Sequence, residues 1–143
     1  MLYADTSALL PYYRQEASSV AIEELFLAQS EPVIISELCR VEFASALSRW
    51  VRTGELTEPQ ANRVESAFHD DVAKGCFRVT GVGVELFQRA QHWLLTRRTS
   101  LRTLDALQLA CAQASGAQLV TLDHGLYRAA DYLGIRTYNV GAT

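Results

Sequence analysis

Three aspartates and one glutamate, Asp5, Glu42, Asp105 and Asp123, are the residues of this sequence best suited to chemistry. Asp5 and Asp123 each close a short apolar segment typical of a buried strand, and parallel sheets bind ligands beyond the carboxyl ends of their strands. Asp105 enters a segment that is otherwise nearly all apolar, where an unpaired charge costs several kcal/mol or takes up a proton. If these side chains converge, they cannot all stay ionised without a cation, so the set predicts a metal site.

The remaining potential metal ligands narrow the choice of ion. The cysteines are far apart, odd in number and lack C-x-x-C spacing, so we expect buried free thiols rather than a zinc site or a disulfide. The histidines are scattered, which gives a metal-free two-histidine mechanism little support. An oxygen-only ligand set favours Mg²⁺, or Mn²⁺, over zinc, and such an ion can orient a phosphate and activate water. The cysteines are Cys39, Cys76 and Cys111, and the histidines are His69, His92 and His124.

Each acid also has an interpretation without chemistry. Asp5 and Asp123 could cap the helices that follow their strands, and Asp105 could favour a helix N-terminus through the helix dipole. Glu42 projects at the edge of an apolar helical face and could be a solvated surface residue. Each position is therefore ambiguous by itself, and the chemical interpretation depends on all four acids meeting in space.

The elements that must position these acids alternate between strand and helix. Continuous apolar strands between helices with capping and stop residues indicate an α/β protein, with a parallel central sheet flanked by helices on both faces. The length of 143 residues, with no internal repeat or linker, predicts a single domain over 1–143. The predicted strands are 1–5, 33–36, 77–80, 119–123 and 137–140. The predicted helices are a short one from about Ala8, 16–29, 37–53, one capped by Thr57 that runs to about 73, 84–98, one capped by Thr103 over 104–115, and 126–133.

Composition limits the class of protein. Hydrophobic residues make up 49% and charged residues 20% of the chain, the balance of a soluble globular domain. No apolar run approaches the ~18 residues of a membrane helix, and Asp5 interrupts the place of a signal-peptide core, so a cytoplasmic protein without a membrane partner is expected. Gly81-Val82-Gly83 is followed by Leu86 where a dinucleotide-binding loop needs glycine, so no nucleotide cofactor is expected.

The charged residues give evidence both for and against a nucleic-acid partner. The net charge of −3 argues mildly against such a partner, although acids of a metal site contribute to it and bound cations would offset them. All of the 13 basic residues except Lys74 are arginine. The planar arginine fork suits bidentate phosphate contacts, but a coding bias would produce the same excess.

Four segments, taken together, resemble the acidic motifs of PIN-domain proteins. They are residues 2–9 (LYADTSAL), 36–42 (SELCRVE), 101–110 (LRTLDALQLA) and 119–123 (LVTLD). All four appear in order, and the resemblance spans essentially the whole chain. The length and compactness of the chain are similar to those of VapC-type toxins from bacterial toxin–antitoxin pairs.

The resemblance implies a three-layer α/β/α fold and an endoribonuclease. The acids would bind one or two Mg²⁺ or Mn²⁺ ions, and RNA hydrolysis would leave a 5′-phosphate and a 3′-hydroxyl. Asp5 and Asp105 would be the leading metal ligands, and Asp123 a further ligand, direct or through water. Glu42 would orient water or associate with the metal.

The resemblance also implies supporting residues and partners. Thr6 and Thr121 would orient the metal-binding acids through hydrogen bonds. A cognate antitoxin protein, encoded nearby, would insert a short segment into the acidic cleft, and the toxin would form a homodimer. Arg97, Arg98 and Arg102 are candidate RNA phosphate contacts, or only a solvated helix end. Candidate aromatics of the dimer interface, which could equally be core, are Trp50, Trp93, Tyr12 and Tyr13.

Other functions remain open. An aspartate-nucleophile phosphatase also carries an acid after its first strand, but its second acid stands two residues later, and here that position is Ser7. A PIN-fold RNA-processing nuclease, or an RNA- or protein-binding module without a toxin role, is the alternative to a toxin, since fold does not decide function. The complete set of four acids argues against a module that has lost activity.

Overall fold

A computed structural model of the protein describes residues 1–140, and 141–143, the end of the domain expected from the sequence, lie outside the described residues. From residue 1 to 140 the chain alternates strands and helices as expected. The strands are β1 (Leu2–Ala4), β2 (Val33–Ser36), β3 (Phe77–Thr80), β4 (Gln118–Val120) and β5 (Thr137–Tyr138). The helices are α1 (Thr6–Leu9), α2 (Ser19–Leu27), α3 (Glu37–Arg52), α4 (Glu58–Ala73), α5 (Val84–Thr96), α6 (Thr103–Ser115) and α7 (His124–Tyr132), and a 3₁₀ helix (Leu10–Tyr12) follows α1.

The strands form one parallel sheet in the order β3-β2-β1-β4-β5. The chain builds outward from β1 to β3, then returns to the other side of β1 for β4 and β5. The border between β1 and β4 is therefore the point where the strand order reverses, which is where open α/β sheets bind ligands, beyond the carboxyl ends of the strands. The predicted parallel sheet in a three-layer α/β/α fold is confirmed.

Buried side chains on both faces of the sheet hold the layers together. Tyr3 on β1 and Ile34 on β2 are adjacent in register and fully inaccessible to solvent, as strands covered by helices on both faces require. Helix α6 adds a continuous buried run from Ala106 to Ala112, which confirms the predicted burial of this helix. Each fully buried leucine or isoleucine contributes about 1.5–3 kcal/mol. This run therefore fixes α6, and with it Asp105, against the sheet.

A cluster of aromatic rings fills the core between α3, α4 and the first helices. Trp50 is buried, with the Arg14 guanidinium 4.4 Å from its ring centre, and Trp93 packs half-buried against the core. Two of the proposed interface aromatics, Tyr12 and Tyr13, make edge-on contacts within the cluster. The core interpretation of these four residues is therefore the one that the structure supports. The cluster consists of Tyr12, Tyr13, Phe26, Phe43, Phe68 and Phe77.

The two strand-end aspartates both act as helix caps. Helix α1 begins at Thr6 rather than near Ala8, because the Asp5 carboxylate accepts from the backbone of Ala8 and caps the helix. Strand β4 ends at Val120 rather than at residue 123. Asp123 instead caps α7, which begins two residues earlier than predicted. Capping was one of the two interpretations of these acids, and it uses only the Oδ1 atom of each, so it does not exclude chemistry at Oδ2.

Other predicted boundaries hold or shift by a few residues. Thr57 and Gln60 form the expected capping box of α4, with bonds of 3.2 and 2.8 Å. The prediction that Thr103 caps α6 is wrong, since it is the first helical residue and Arg102 stands at the cap. Helix α5 stops at Thr96, short of residue 98, because Arg97 takes a left-handed φ of 55°.

Smaller differences concern α2, β5 and one cysteine. Helix α2 and strand β5 are each shorter than the predicted 16–29 and 137–140. The expectation of buried thiols holds for Cys39 and Cys111 but is wrong for Cys76, which is exposed just before β3. No helix within residues 1–140 is both long enough and apolar enough to cross a membrane.

Candidate active site

Asp5 stands directly after β1 and is almost fully buried, with 4% of its surface exposed. Its Oδ1 accepts hydrogen bonds from the Ser7 hydroxyl at 2.7 Å and the Ala8 backbone at 3.1 Å, and its Oδ2 accepts from the Thr121 hydroxyl at 2.7 Å. Burial raises the pKa of Asp5 from its ordinary 3.8 to about 6, against the lowering effect of these bonds, and the charge of Asp123 adds to the rise. The carboxylate is thus held rigidly at an energetic cost.

Ser7 and Thr121 join the ends of the neighbouring strands β1 and β4. The Ser7 hydroxyl accepts from the backbone of Leu122 at 2.9 Å and lies 3.2 Å from the Thr121 hydroxyl, which accepts from the backbone of Asp123 at 3.1 Å. These bonds set Asp5 and Asp123 close together at the reversal point of the sheet. Ser7, where a phosphatase would need an acid, acts here as a support for Asp5.

Glu42 reaches the same region from the second turn of α3. Its Oε1 accepts from the Thr6 hydroxyl at 3.0 Å and from the side-chain amide of Gln108. Thr6 and Gln108 are both buried. A carboxylate held by two buried donors is not a free surface group, so the solvated-surface interpretation does not describe Glu42. Thr6 and Thr121 thus each support one of the four acids, Thr6 on Glu42 and Thr121 on Asp5.

Asp105 and Asp123 face an open cavity of about 660 Å³, which Glu42 also lines. The 100–104 segment before Asp105 and Gly125 on α7 complete its wall. Asp105 is half-buried, and burial followed by the nearby charge of Asp123 raises its pKa. Asp123 is exposed, and its Oδ1 accepts from a backbone amide of α7 at 3.1 Å.

The structure therefore brings three of the predicted acids to one cavity and places Asp5 at the adjoining strand end, within electrostatic reach of Asp123. Within residues 1–140 no group of three acids, histidines or cysteines is close enough to form a ready-made metal site. A larger groove of about 830 Å³ lies between α3 and α4 and carries none of the four acids. None of the three histidines is among the residues that line the cavity of the acids.

The chemistry of the donor set fits a hard divalent cation. The ion pairs among residues 1–140 are Arg14 with Glu55 and Arg40 with Glu37, so none of the four acids forms an ion pair in this part of the chain. Burial and then the charge of Asp123 raise the pKa of Asp105, and the charge of Arg102 opposes this rise only in part. The neutral hydroxyl and amide donors around Asp5 leave its charge uncompensated. Oxygen ligands with uncompensated charge are what Mg²⁺ and Mn²⁺ prefer.

The three candidate arginines differ in their relation to the cavity. Arg97, Arg98 and Arg102 are all exposed, and Arg102 lines the cavity next to Asp105. The left-handed Arg97 ends α5 and turns the chain into the segment that forms the cavity wall. Arg102 is therefore the one of the three that stands at the candidate site.

Sequence reasoning missed Gln108 and Tyr3, which are hydrogen-bonded to each other at 2.6 Å behind Glu42. The available signal was Gln108 itself, a single amide inside an apolar segment. A polar side chain in a buried helical run needs a partner, and here that partner belongs to the site.

Comparison with known proteins decides the family. The PIN domain model matches residues 2–132. The chain belongs to the PIN-domain family. A search of curated proteins gave no match.

Solved structures share the fold of this PIN domain. VapC20 of Mycobacterium tuberculosis, described as a sarcin–ricin loop cleaving toxin, has 17% identity and a TM-score of 0.68 over 90% of this chain and 95% of its own. FitAcB from Neisseria gonorrhoeae has 16% identity and a TM-score of 0.72 over 100% of both chains. VapBC2 from Rickettsia felis, bound to a DNA fragment from its promoter, has 15% identity and a TM-score of 0.69 over 97% and 98%. At these identities the likeness shows the fold.

Proposed function

We propose that this PIN-domain protein is a Mg²⁺-dependent endoribonuclease, a hydrolase of RNA phosphodiester bonds, with Mn²⁺ as a substitute ion. The observation that carries the proposal is the gathering of Glu42, Asp105 and Asp123 around one cavity, next to the buried Asp5. Under this proposal, residues 1–143 are one domain that acts in the cytoplasm.

The buried and the exposed acids have different tasks in the proposed mechanism. Asp5, Asp105 and Asp123 would hold the ion, which supplies neutralisation of their charge and polarisation of a phosphodiester when bound. Thr121 fixes the direction of Asp5 through its Oδ2. Glu42, directed into the cavity, accepts a hydrogen bond from the attacking water and orients it in line with the leaving oxygen.

The proposal of a toxin role is supported by the solved structures that share the fold. VapC20 is described as a toxin and VapBC2 as a complex bound to promoter DNA. We extend these properties to this chain as a proposal: it is the toxin of a type II toxin–antitoxin pair, a homodimer, and its cognate antitoxin covers the acidic cavity.

Cleavage of structured RNAs by the purified protein tests the enzymatic proposal. Wild type with Mg²⁺ should cleave, EDTA should stop cleavage, and Asp5→Asn should lower the rate on the order of 1000-fold, since the charge that holds the ion is lost. Asp131→Asn, which removes an exposed acid at the far end of α7, is the matched control and should cleave like wild type. Equal cleavage by wild type and Asp5→Asn would refute the proposed site.

Expression in cells separates a toxin from a general RNA-processing enzyme. Induced wild-type protein should arrest growth, Asp5→Asn should not, and co-expression of the short neighbouring reading frame should restore growth. An active nuclease that leaves growth unchanged would favour the RNA-processing alternative.

A further inference from the structure

The side chain of Gln108 lies between the candidate site and the core, with 3% of its surface exposed. Its Nε2 donates to Glu42 Oε1 and, at 3.3 Å, to the Thr6 hydroxyl. Its Oε1 accepts from the Tyr3 hydroxyl at 2.6 Å. Both ends of the amide are therefore used, one toward the site and one toward the centre of the sheet.

The partners of Gln108 allow only one orientation of its amide. An ionised carboxylate can only accept hydrogen bonds, so the NH₂ group must face Glu42. The carbonyl oxygen then faces the Tyr3 hydroxyl, which donates to it. Tyr3 is fully buried on the central strand β1, and its hydroxyl lies 2.9 Å from Oγ of Ser36, the last residue of β2. The network thus fixes the amide from behind as well as from the front.

The position of Gln108 along α6 relates it to a second acid. Gln108 follows Asp105 by three residues, a spacing that places both on the same side of the helix. The apolar residues after Asp105 anchor this helix in the core. One rigid element therefore presents the Asp105 carboxylate to the cavity and, one turn later, the amide that holds Glu42.

We propose that Gln108 is a positioning residue that directs the Glu42 carboxylate into the cavity, and that Tyr3 fixes the orientation of Gln108. The inference rests on the proposed function, because it assumes that Glu42 takes part in hydrolysis. It assigns to Gln108 a role that acts entirely through Glu42. Its effect therefore depends on the presence of that acid.

A double-mutant cycle on Mg²⁺-dependent RNA cleavage tests this dependence. Gln108→Met keeps the length of the side chain and removes the amide, and it should lower kcat about 10- to 100-fold while KM changes little. In a Glu42→Ala background the same substitution should cause no further loss. An unchanged kcat in Gln108→Met, or an equal loss with and without Glu42, would overturn the proposal.

A matched control separates positioning from a general effect on α6. Gln113→Met makes the same change on the same helix, at an exposed residue that binds Arg89. Gln113→Met should leave kcat unchanged.

Tyr3→Phe removes one oxygen atom with little change of shape and should lower kcat by a smaller factor than Gln108→Met. It serves as the second variant if Gln108→Met does not fold, and a wild-type kcat in Tyr3→Phe would then overturn the role of the network.

Nuclear magnetic resonance tests the hydrogen bonds of Gln108 independently of RNA cleavage. The side-chain NH₂ signals of Gln108 should move and exchange faster with solvent in Glu42→Ala and in Tyr3→Phe. Glu37→Ala, at an exposed glutamate of α3, should leave them in place. If the wild type does not cleave RNA but the Gln108 signals shift in both variants, the proposed function is refuted while the hydrogen-bond network is supported. Unmoved Gln108 signals in Glu42→Ala would refute the network itself.

Discussion

The two halves of the candidate site are built in different ways. Asp5 and Glu42 form the inner half, where buried hydroxyl and amide groups hold each carboxylate through two or more hydrogen bonds. Asp105, in the first turn of α6, and Asp123, which caps α7, form the outer half and face the cavity beside Arg102. The inner half is fixed before any ligand arrives, whereas the outer half is open to water.

This difference separates the residues that fix the geometry of the site from those that are open to solvent. The Asp5 carboxylate is held by Ser7 and Thr121, which also join the ends of β1 and β4. Thr6 and Gln108 hold the Glu42 carboxylate. Under the proposed function, the half-buried Asp105 and the exposed Asp123 would allow a cation and a phosphodiester to enter from solvent. The predictions below, from the largest effect to the smallest, test this contrast.

The largest effect is expected in the pH dependence of stability without metal. Asp5 has a pKa of about 6 in the folded protein against 3.8 when unfolded, so the folded state binds its proton more tightly. Stability is therefore full below pH 3.8 and falls by about 3 kcal/mol as the pH rises through 6. Urea unfolding of wild type in EDTA between pH 4 and 7.5 should show this fall on top of the background titration.

Two variants sharpen the result. Asp5→Asn cannot ionise and should lose the fall. Asp105→Asn in the half-buried outer site should reduce the fall far less. Parallel pH profiles for wild type and Asp5→Asn would mean that the inner carboxylate is not buried at a cost, and the contrast between the halves would be lost.

Removing one support of the inner half should have the next largest effect. Thr121→Val keeps the shape of the side chain and deletes the hydroxyl that donates to Asp5. We expect a 10- to 100-fold lower rate of RNA cleavage, about the cost of losing a residue that orients a metal ligand, measured as kcat at saturating Mg²⁺. Thr53→Val, at an exposed threonine that caps α3, is the control and should match wild type. A wild-type rate in Thr121→Val would show that Asp5 needs no such support.

The smallest effect is expected at the rim of the outer half. Arg102→Gln removes an exposed charge beside the cavity, so KM for RNA should rise several-fold while kcat stays constant. The slope of log KM against log salt concentration should decrease by about 1, as for the loss of one phosphate contact. A lower kcat with an unchanged salt slope would assign Arg102 to the chemistry instead of to binding.

The sequence predicts the place of Asp5 better than that of the other acids. Asp5 follows an apolar strand that must be buried, so its place at the sheet edge is readable from the pattern alone. The positions of Asp123 and Arg97 depend on where β4 and α5 end, and a local sequence pattern does not determine these ends. A cap ends β4 three residues early, and a left-handed non-glycine residue shortens α5.

Long-range contacts explain most of what could not be predicted. Gln108 lies 66 residues from Glu42 and 105 from Tyr3 along the chain, so no spacing rule links them. Glu42 looked like a surface residue because its own helix says nothing about the donors on α1 and α6. Its position at the cavity becomes evident only when the fold brings α1, α3 and α6 together.

A crystal structure with Mn²⁺ is the most direct test of the claim that these acids share a divalent cation. Anomalous scattering should reveal an ion at the carboxyl ends of β1 and β4, with carboxylate oxygens of Asp5 and Asp105 about 2.0–2.3 Å from it or joined to it through one water. The same experiment on Asp105→Asn should show a weaker peak or none. An ion bound elsewhere, or no ion at millimolar Mn²⁺, would contradict the account.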